Sequence, residues 1–298
     1  MATRPTLPYY APAELLPAPL PTVAEILASK HRISHEALTA VVRVGDHYAV
    51  KYGARTSKQE GENMLFVQQS TSIPVPKVYA IFEGQVAGYT TTFIVMEYID
   101  GTLLNHAWGK LSASEKRHLV SQLRRYMDEL RIPAPGYYGG VWGQKILNED
   151  FEDQATGLPF SEPEISGPHE TEEQFVEGMW HCLDRAFTTS YARGPEQRKR
   201  LLADMRRHYH NTFKGHKPVF THADFFRGNI MLRRDGSIVI IDWEYAGWYP
   251  SFWEFCYTIW QQDHTDDWND LVYEIFLDEY SAELGWFRQH RGVTKKFS

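Results

Sequence analysis

Cysteine is nearly absent from this chain of 298 residues: there are two, Cys182 and Cys256, and neither lies near another metal ligand at zinc-finger spacing. A disulfide framework and a structural zinc are therefore not expected, and a reducing cytoplasm is the expected setting. No stretch is apolar for the roughly 20 residues that a bilayer demands. The opening MATRPTLPYYAPAELLPAPLP also lacks the apolar core of a signal peptide. A basic surplus is missing too, since 31 Lys and Arg against 38 Asp and Glu leave a formal net charge of −7. That balance gives no general attraction to phosphate backbones or anionic lipid, so neither nucleic acid nor membrane is an expected partner; the oligomeric state stays open. Apolar residues, by contrast, are plentiful: 43% hydrophobic and 14% aromatic composition supplies a sizeable core.

Prolines at 5, 8, 12, 17, 19 and 21 forbid regular helix there and favour extended backbone, which marks residues 1–30 as an arm. Residues Ala40 to Val44 and His47 to Tyr52 read as strands around a two-residue turn at Gly45 and Asp46. Helical spacing follows from Ser57 to Ser70, with Ser57 and Glu60 placed as a capping box. Two further strands, Val78 to Phe82 and Thr91 to Ile99, flank EGQVAGY. Residues 31–100 thus read as a small antiparallel sheet lobe with one inserted helix.

Beyond Gly101 the pattern changes. Leu119, Leu123, Met127 and Leu130 form a helical stripe on a helix starting near Ser112 or Ser114. Further helices are expected from Thr171, where TEEQ is a second capping box, and after Pro195. The Gly/Pro/acidic stretch from about Pro133 to Pro168 is long for an idle connection and is a candidate binding loop. Residues 101–298 read as a larger, mainly helical lobe.

The segment THADFFRGNIMLRRDGSIVIIDWE, Thr221 to Glu244, carries the chemistry. Asp235-Gly236 is the strongest hairpin signal in the chain, and a two-residue turn there sets Asn229 directly opposite Asp242. An amide oxygen and a carboxylate at that spacing suit magnesium, which keeps waters and takes the remaining ligands from substrate phosphates. Asp224 precedes the hairpin and is placed to accept a proton from an attacking hydroxyl.

HADFFRGN resembles the HxDxxxxN catalytic loop of the protein-kinase-like superfamily, and IIDWE resembles its metal-binding strand, in the form found in aminoglycoside phosphotransferases and their choline and homoserine kinase relatives. YAVKYG resembles the strand of the phosphate-binding lysine, EGENMLFV the helix of its glutamate partner, and IVMEYIDG the hinge between lobes. SIPVPKVYAIF and WEYAGWYPSFWEF are similar to fungal-type members. Five motifs in order, over roughly residues 36–260, make the match specific.

The resemblance implies an α+β, two-lobed protein-kinase-like fold with nucleotide and Mg2+ between the lobes. It implies transfer of the γ-phosphoryl group of ATP or GTP to a small-molecule hydroxyl. Lys51 would hold the α and β phosphates, Glu60 would orient Lys51, and Asn229 and Asp242 would bind the metal. Asp224 would be the base, and backbone groups of Glu97 and Ile99 would hold the purine edge with Met96 behind it. Between Asp242 and Pro250 there is no room for a peptide-docking activation segment, which points to a small-molecule acceptor; the resemblance implies an aminoglycoside or another amine-bearing alcohol. Two features depart from the family pattern: RISHEALTAVVRVG has no glycine before Gly45, and Phe226 and Arg227 replace the usual polar residue and proline.

Plainer readings stand beside these. Glu60 is explained equally by capping and by pairing with Lys51, and His222 reads as a structural histidine rather than a ligand. Trp243, Trp248, Tyr249 and Trp253 read as core. The acidic runs 148–153 and 263–270 read as solvated faces, with binding of a cationic acceptor as the sharper option. The competing functions are a weakly active pseudokinase that binds nucleotide or acts as a scaffold, and a metal-dependent hydrolase built on His222, Asp224 and Asp242.

Overall fold

The structure, a computed structural model, describes residues 2–34, 38–153, 158–190, 195–262 and 265–294. The chain forms two compact units: Met1–Ser112 with Arg227–Glu244, and Ala113–Phe226 with Tyr245–Ser298. The hairpin at Ile230–Arg233 and Ile238–Ile240 groups with the N-terminal unit because Ile230–Arg233 pairs antiparallel with a short strand at Gly101–Leu103.

In the first unit β1 (Tyr9–Tyr10), α1 (Val23–Ala28), β2 (Thr39–Val44), β3 (Tyr48–Gly53), α2 (Lys58–Ser70), β4 (Val78–Val86) and β5 (Tyr89–Glu97) follow in order. The strands form one antiparallel sheet in the order β1-β4-β5-β3-β2. Val44 pairs with Tyr48, so the first hairpin turns over three residues, Gly45 to His47, and not over the expected two. The strands β4 and β5 run on through most of EGQVAGY. Their turn is Ala87-Gly88, both at positive φ (50° and 86°), the backbone that a twisted two-residue hairpin requires.

The N-terminal arm differs from its all-extended expectation. Its last proline is at 21, and Thr22 then builds a full capping box with Glu25 that starts α1. Burial explains why the arm is ordered: Ala11 and Ile26 join Val42, Tyr48, Val50, Tyr79, Ala80, Phe93 and Val95 in one apolar cluster.

In the second unit the helix Ala113–Leu130 buries Leu119, Leu123, Met127 and Leu130, as the stripe predicts. The capping box at Thr171 is present: the Gln174 N–H donates to Thr171 Oγ1 and the Thr171 N–H to Gln174 Oε1, both at 3.2 Å. Helices Glu172–Ser190, Pro195–Thr212, Trp253–Trp260 and Ser281–Thr294 pack on one another, and the helix Ala113–Leu130 packs against the strand Pro218–Thr221, which pairs antiparallel with Gly247–Pro250. Trp243 lies in the core of the first unit, and Trp248, Tyr249 and Trp253 in that of the second. Among the described residues no helix is long and apolar enough to cross a membrane.

Candidate active site

In the first unit, Lys51 sits near the end of β3 with its side chain 8% exposed, where an ammonium needs partners. Three carboxylates supply them: Glu60 Oε2 at 2.8 Å, Asp242 Oδ1 at 2.8 Å and Glu244 Oε2 at 3.0 Å. Burial pulls the Lys51 pKa down, but the three carboxylates more than reverse that and hold it well above its ordinary value. Burial, reinforced by Asp242 and Glu244 and opposed by Lys51, pushes the Glu60 pKa above the usual carboxylate range.

The two readings of Glu60 are separated here. The Ser57 hydroxyl caps α2 by accepting from the Gln59 N–H, and the Glu60 carboxylate turns to Lys51.

The hairpin that delivers Asp242 differs from its expected register. Ile230 pairs with Ile240 and Leu232 with Ile238, one residue away from the register that would oppose Asn229 and Asp242. The physical reason is the turn. Gly236 at φ +83° donates its N–H to the Arg233 carbonyl, and Asp235 accepts from both the N–H and the hydroxyl of Ser237, giving a three-residue loop. Asn229 accordingly faces Ile241, whose N–H donates to the Asn229 carbonyl at 2.9 Å. Asp242 lies beyond the ladder at φ +63°, a left-handed backbone that a non-glycine residue adopts only when its surroundings enforce it.

Those surroundings are visible. The Trp243 indole is buried and donates to the Ile240 carbonyl, while Asn63 Nδ2 from α2 donates to the Trp243 carbonyl at 2.8 Å. Asp242 and Glu244, on either side of this anchored residue, both reach Lys51. Neither Asn63 nor Glu244 was singled out from sequence, although Glu244 stands inside the IIDWE motif.

Glu60, Asp242 and Glu244 bring oxygens within 4.8 Å of one another. That is a hard-oxygen set of the kind a divalent cation takes, and it already gathers one cation, Lys51. Asn229 is buried in the same unit.

The second unit holds Asp224. Its N–H donates to His222 Nδ1 at 3.2 Å, and its Oδ1 accepts from Gln261 Nε2 at 2.8 Å. Between them Ala223 is fully buried at φ +65°. Glu254 Oε2 accepts from the N–H groups of His222 (2.6 Å) and Ala223 (3.4 Å), which fixes this strained turn. Burial pushes Glu254 up to about 7 against the pull of those two bonds. Sequence reasoning missed Glu254 and Gln261. Both lie on or next to the helix Trp253–Trp260, where only a folded chain brings them to the loop.

Met96 and Glu97 close β5, and Ile99 follows, buried. The Glu97 N–H donates to the Lys77 carbonyl and its carboxylate accepts from Arg233 at 2.8 Å, so its side chain serves the hairpin. The glycine-free loop falls partly on residues 35–37, outside the described residues. Arg227 lies over the Trp108 ring at 5.7 Å.

The acidic runs have internal partners. Glu149 and Asp150 pair with the fully buried Arg291, Asp266 caps Trp268, and Asp267 pairs with Lys116 at 2.8 Å. Asp263 lies outside the described residues.

The sequence profile of a phosphotransferase enzyme family matches residues 28–290. Two curated relatives, subtelomeric hrmA-associated cluster proteins from two strains of Aspergillus fumigatus, are 27% identical over 143 residues, 47% of this chain and 25% of theirs. The chain thus matches about a quarter of the length of these relatives.

Among solved structures, aminoglycoside phosphotransferase APH(4)-Ia superposes with a TM-score of 0.60 at 14% identity, covering 89% of this chain and 84% of that one. APH(2")-IIa, solved with streptomycin and ATP, gives 0.54 at 17% identity over 89% and 80%. The fold is the α+β, kinase-like fold of aminoglycoside phosphotransferases.

Proposed function

The chain belongs to the phosphotransferase enzyme family, and from that premise we propose that it moves the γ-phosphoryl group of ATP or GTP to a hydroxyl of a small molecule. The convergence of Glu60, Asp242 and Glu244 on Lys51 carries this reading, because a buried ammonium held among carboxylates is what binding of phosphate and metal together requires.

Lys51 binds the α and β phosphates and Glu60 holds its ammonium in place. Asn229 and Asp242 hold magnesium, which when bound neutralises charge on the phosphates. Backbone groups of Glu97 and Ile99 take the purine edge, with Met96 behind it. Asp224, its rotamer fixed by Gln261, accepts the proton of the acceptor hydroxyl as the oxygen bonds to the γ-phosphorus. The bond from that phosphorus to the bridging oxygen breaks, and the nucleoside diphosphate leaves.

The streptomycin and ATP complex of APH(2")-IIa supports an aminoglycoside or another amine-bearing alcohol as acceptor, and the cysteine-poor composition supports a cytoplasmic setting. The rival reading, a nucleotide-binding protein with little turnover, draws on the phosphate loop that has no glycine before Gly45.

A thermal-shift series with ATP and GTP, with and without magnesium, on wild type, Asp242→Ala and Asp224→Ala tests the proposal. Nucleotide at a hundred times its Kd should stabilise wild type by about 2.7 kcal/mol, only with magnesium, and should not stabilise Asp242→Ala. Asp224→Ala should keep the shift and lose turnover by about 10²- to 10⁴-fold. No shift at millimolar nucleotide overturns the proposal, and a shift without turnover on amine-bearing alcohols favours the rival.

A further inference from the structure

The arm ahead of the sheet touches the elements that carry the lysine and its glutamate partner. Arg4 Nε donates to Glu62 Oε1 at 2.8 Å, and the Thr3 N–H donates to Gln69 Oε1 at 3.1 Å. Glu62 and Gln69 are seven residues apart on α2, two turns along one face. Glu62 follows Glu60 by two residues, a rotation of about 200° around the helix. Lys51 therefore grips α2 on one face through Glu60, and the arm grips it on nearly the opposite face through Glu62.

The arm then pairs β1 with β4, and the Ala11 N–H donates to the Tyr79 carbonyl at 2.8 Å. Further on, the Ala18 carbonyl accepts from the Tyr48 hydroxyl on β3, the strand of Lys51. Ser29 Oγ finally donates to the Arg43 carbonyl on β2 at 2.6 Å.

We propose that residues 2–29 act as a strap that fixes α2 against β3, with Arg4 as a positioning residue for the Lys51–Glu60 pair. The inference rests on the phosphotransferase reading for its consequence and on the arm's own bonds for its geometry. An exposed ion pair contributes little, and Arg4 is 53% exposed, but Glu62 is only 3% exposed. Losing the guanidinium therefore acts on a buried carboxylate inside α2, where it loosens the helix while leaving no cavity. With α2 loosened, Lys51 is drawn toward Asp242 and Glu244 and grips phosphate less well.

The test is Arg4→Ala and Arg4→Lys in the full chain, read by Kd for magnesium ATP and by hydrogen exchange of α2 amides. Arg4→Ala should fold with a Tm within a few degrees of wild type, raise Kd about three- to tenfold, and speed exchange in α2 but not in β5. Arg4→Lys should recover most of both effects. Wild-type affinity and unchanged α2 exchange in Arg4→Ala would overturn the strap. A wild type that binds no nucleotide would instead overturn the functional reading, and the exchange measurement would still judge the strap.

Discussion

Lys51 and Glu254 solve opposite problems with the same kind of group. Around Lys51 several carboxylates share one cation, so removing the cation leaves the buried Glu60 facing the half-buried Asp242 and Glu244 with nothing between them. Breaking a buried pair in this way costs about 3–5 kcal/mol. Lys51→Met should lower stability by about that amount and abolish the nucleotide shift. Adding Glu60→Gln should restore much of the stability and none of the binding, which paired denaturant melts and thermal shifts would read. A double variant no more stable than Lys51→Met would mean that the carboxylates do not repel.

Glu254 instead serves two backbone N–H groups and has its pKa pushed up to about 7 by burial. Its task is that of an acceptor, which an amide oxygen performs as well as a carboxylate does. Glu254→Gln should therefore melt close to wild type. Glu254→Ala should lose about 1–3 kcal/mol, because both donors are left without it.

At the scale of elements, α2 depends on a close approach. A Cβ at Gly61 would stand 2.6 Å from Ile81 Cδ1 and 2.8 Å from its Cγ1, and Ile81 is fully buried on β4. Alanine in a helix interior ordinarily gains about 1 kcal/mol over glycine, but overpacking a core costs about 1–3 kcal/mol. Gly61→Ala should come out destabilised and with weaker nucleotide binding, since Glu60 is its neighbour. A stabilised variant would show that Ile81 gives way freely.

The order of elements was legible in the sequence because period and caps are local: the stripe from Leu119 to Leu130 and the box at Thr171 need nothing from elsewhere. The register of the Asp235-Gly236 hairpin was not. Arg234 joins Asp235 and Gly236 in the loop, Ser237 closes it through bonds to the Asp235 side chain, and one added loop residue moves every pair. The choice Glu60 makes between Ser57 and Lys51 was illegible for another reason. It depends on where β3 lies, a contact that no spacing along the helix encodes.

At the scale of the whole molecule, the loop of Asp224 and the hairpin that delivers Asp242 are continuous in sequence although they belong to different compact units, the change coming between Phe226 and Arg227. Each unit then carries its own titrating groups. In the second, His216 lies between Glu172 (2.6 Å) and Glu283 (3.2 Å), from two separate helices. Burial lowers its pKa, but bonds and attraction to these carboxylates overcome that and raise it above the ordinary 6.5.

A raised histidine pKa means that the folded state holds its proton more tightly than the unfolded one. Its stabilisation is complete below 6.5 and is lost as pH rises through the higher folded value. His169 and His290 work the other way: burial lowers both to about 4, so they remove stability as pH falls from 6.5 toward 4. They are present in wild type and variant alike and cancel in a difference. The gap in Tm between wild type and His216→Gln should therefore be widest near pH 6 and shrink steadily toward pH 9. A gap of constant size across that range would mean that His216 contributes packing against Phe252 and Tyr280 and no charge.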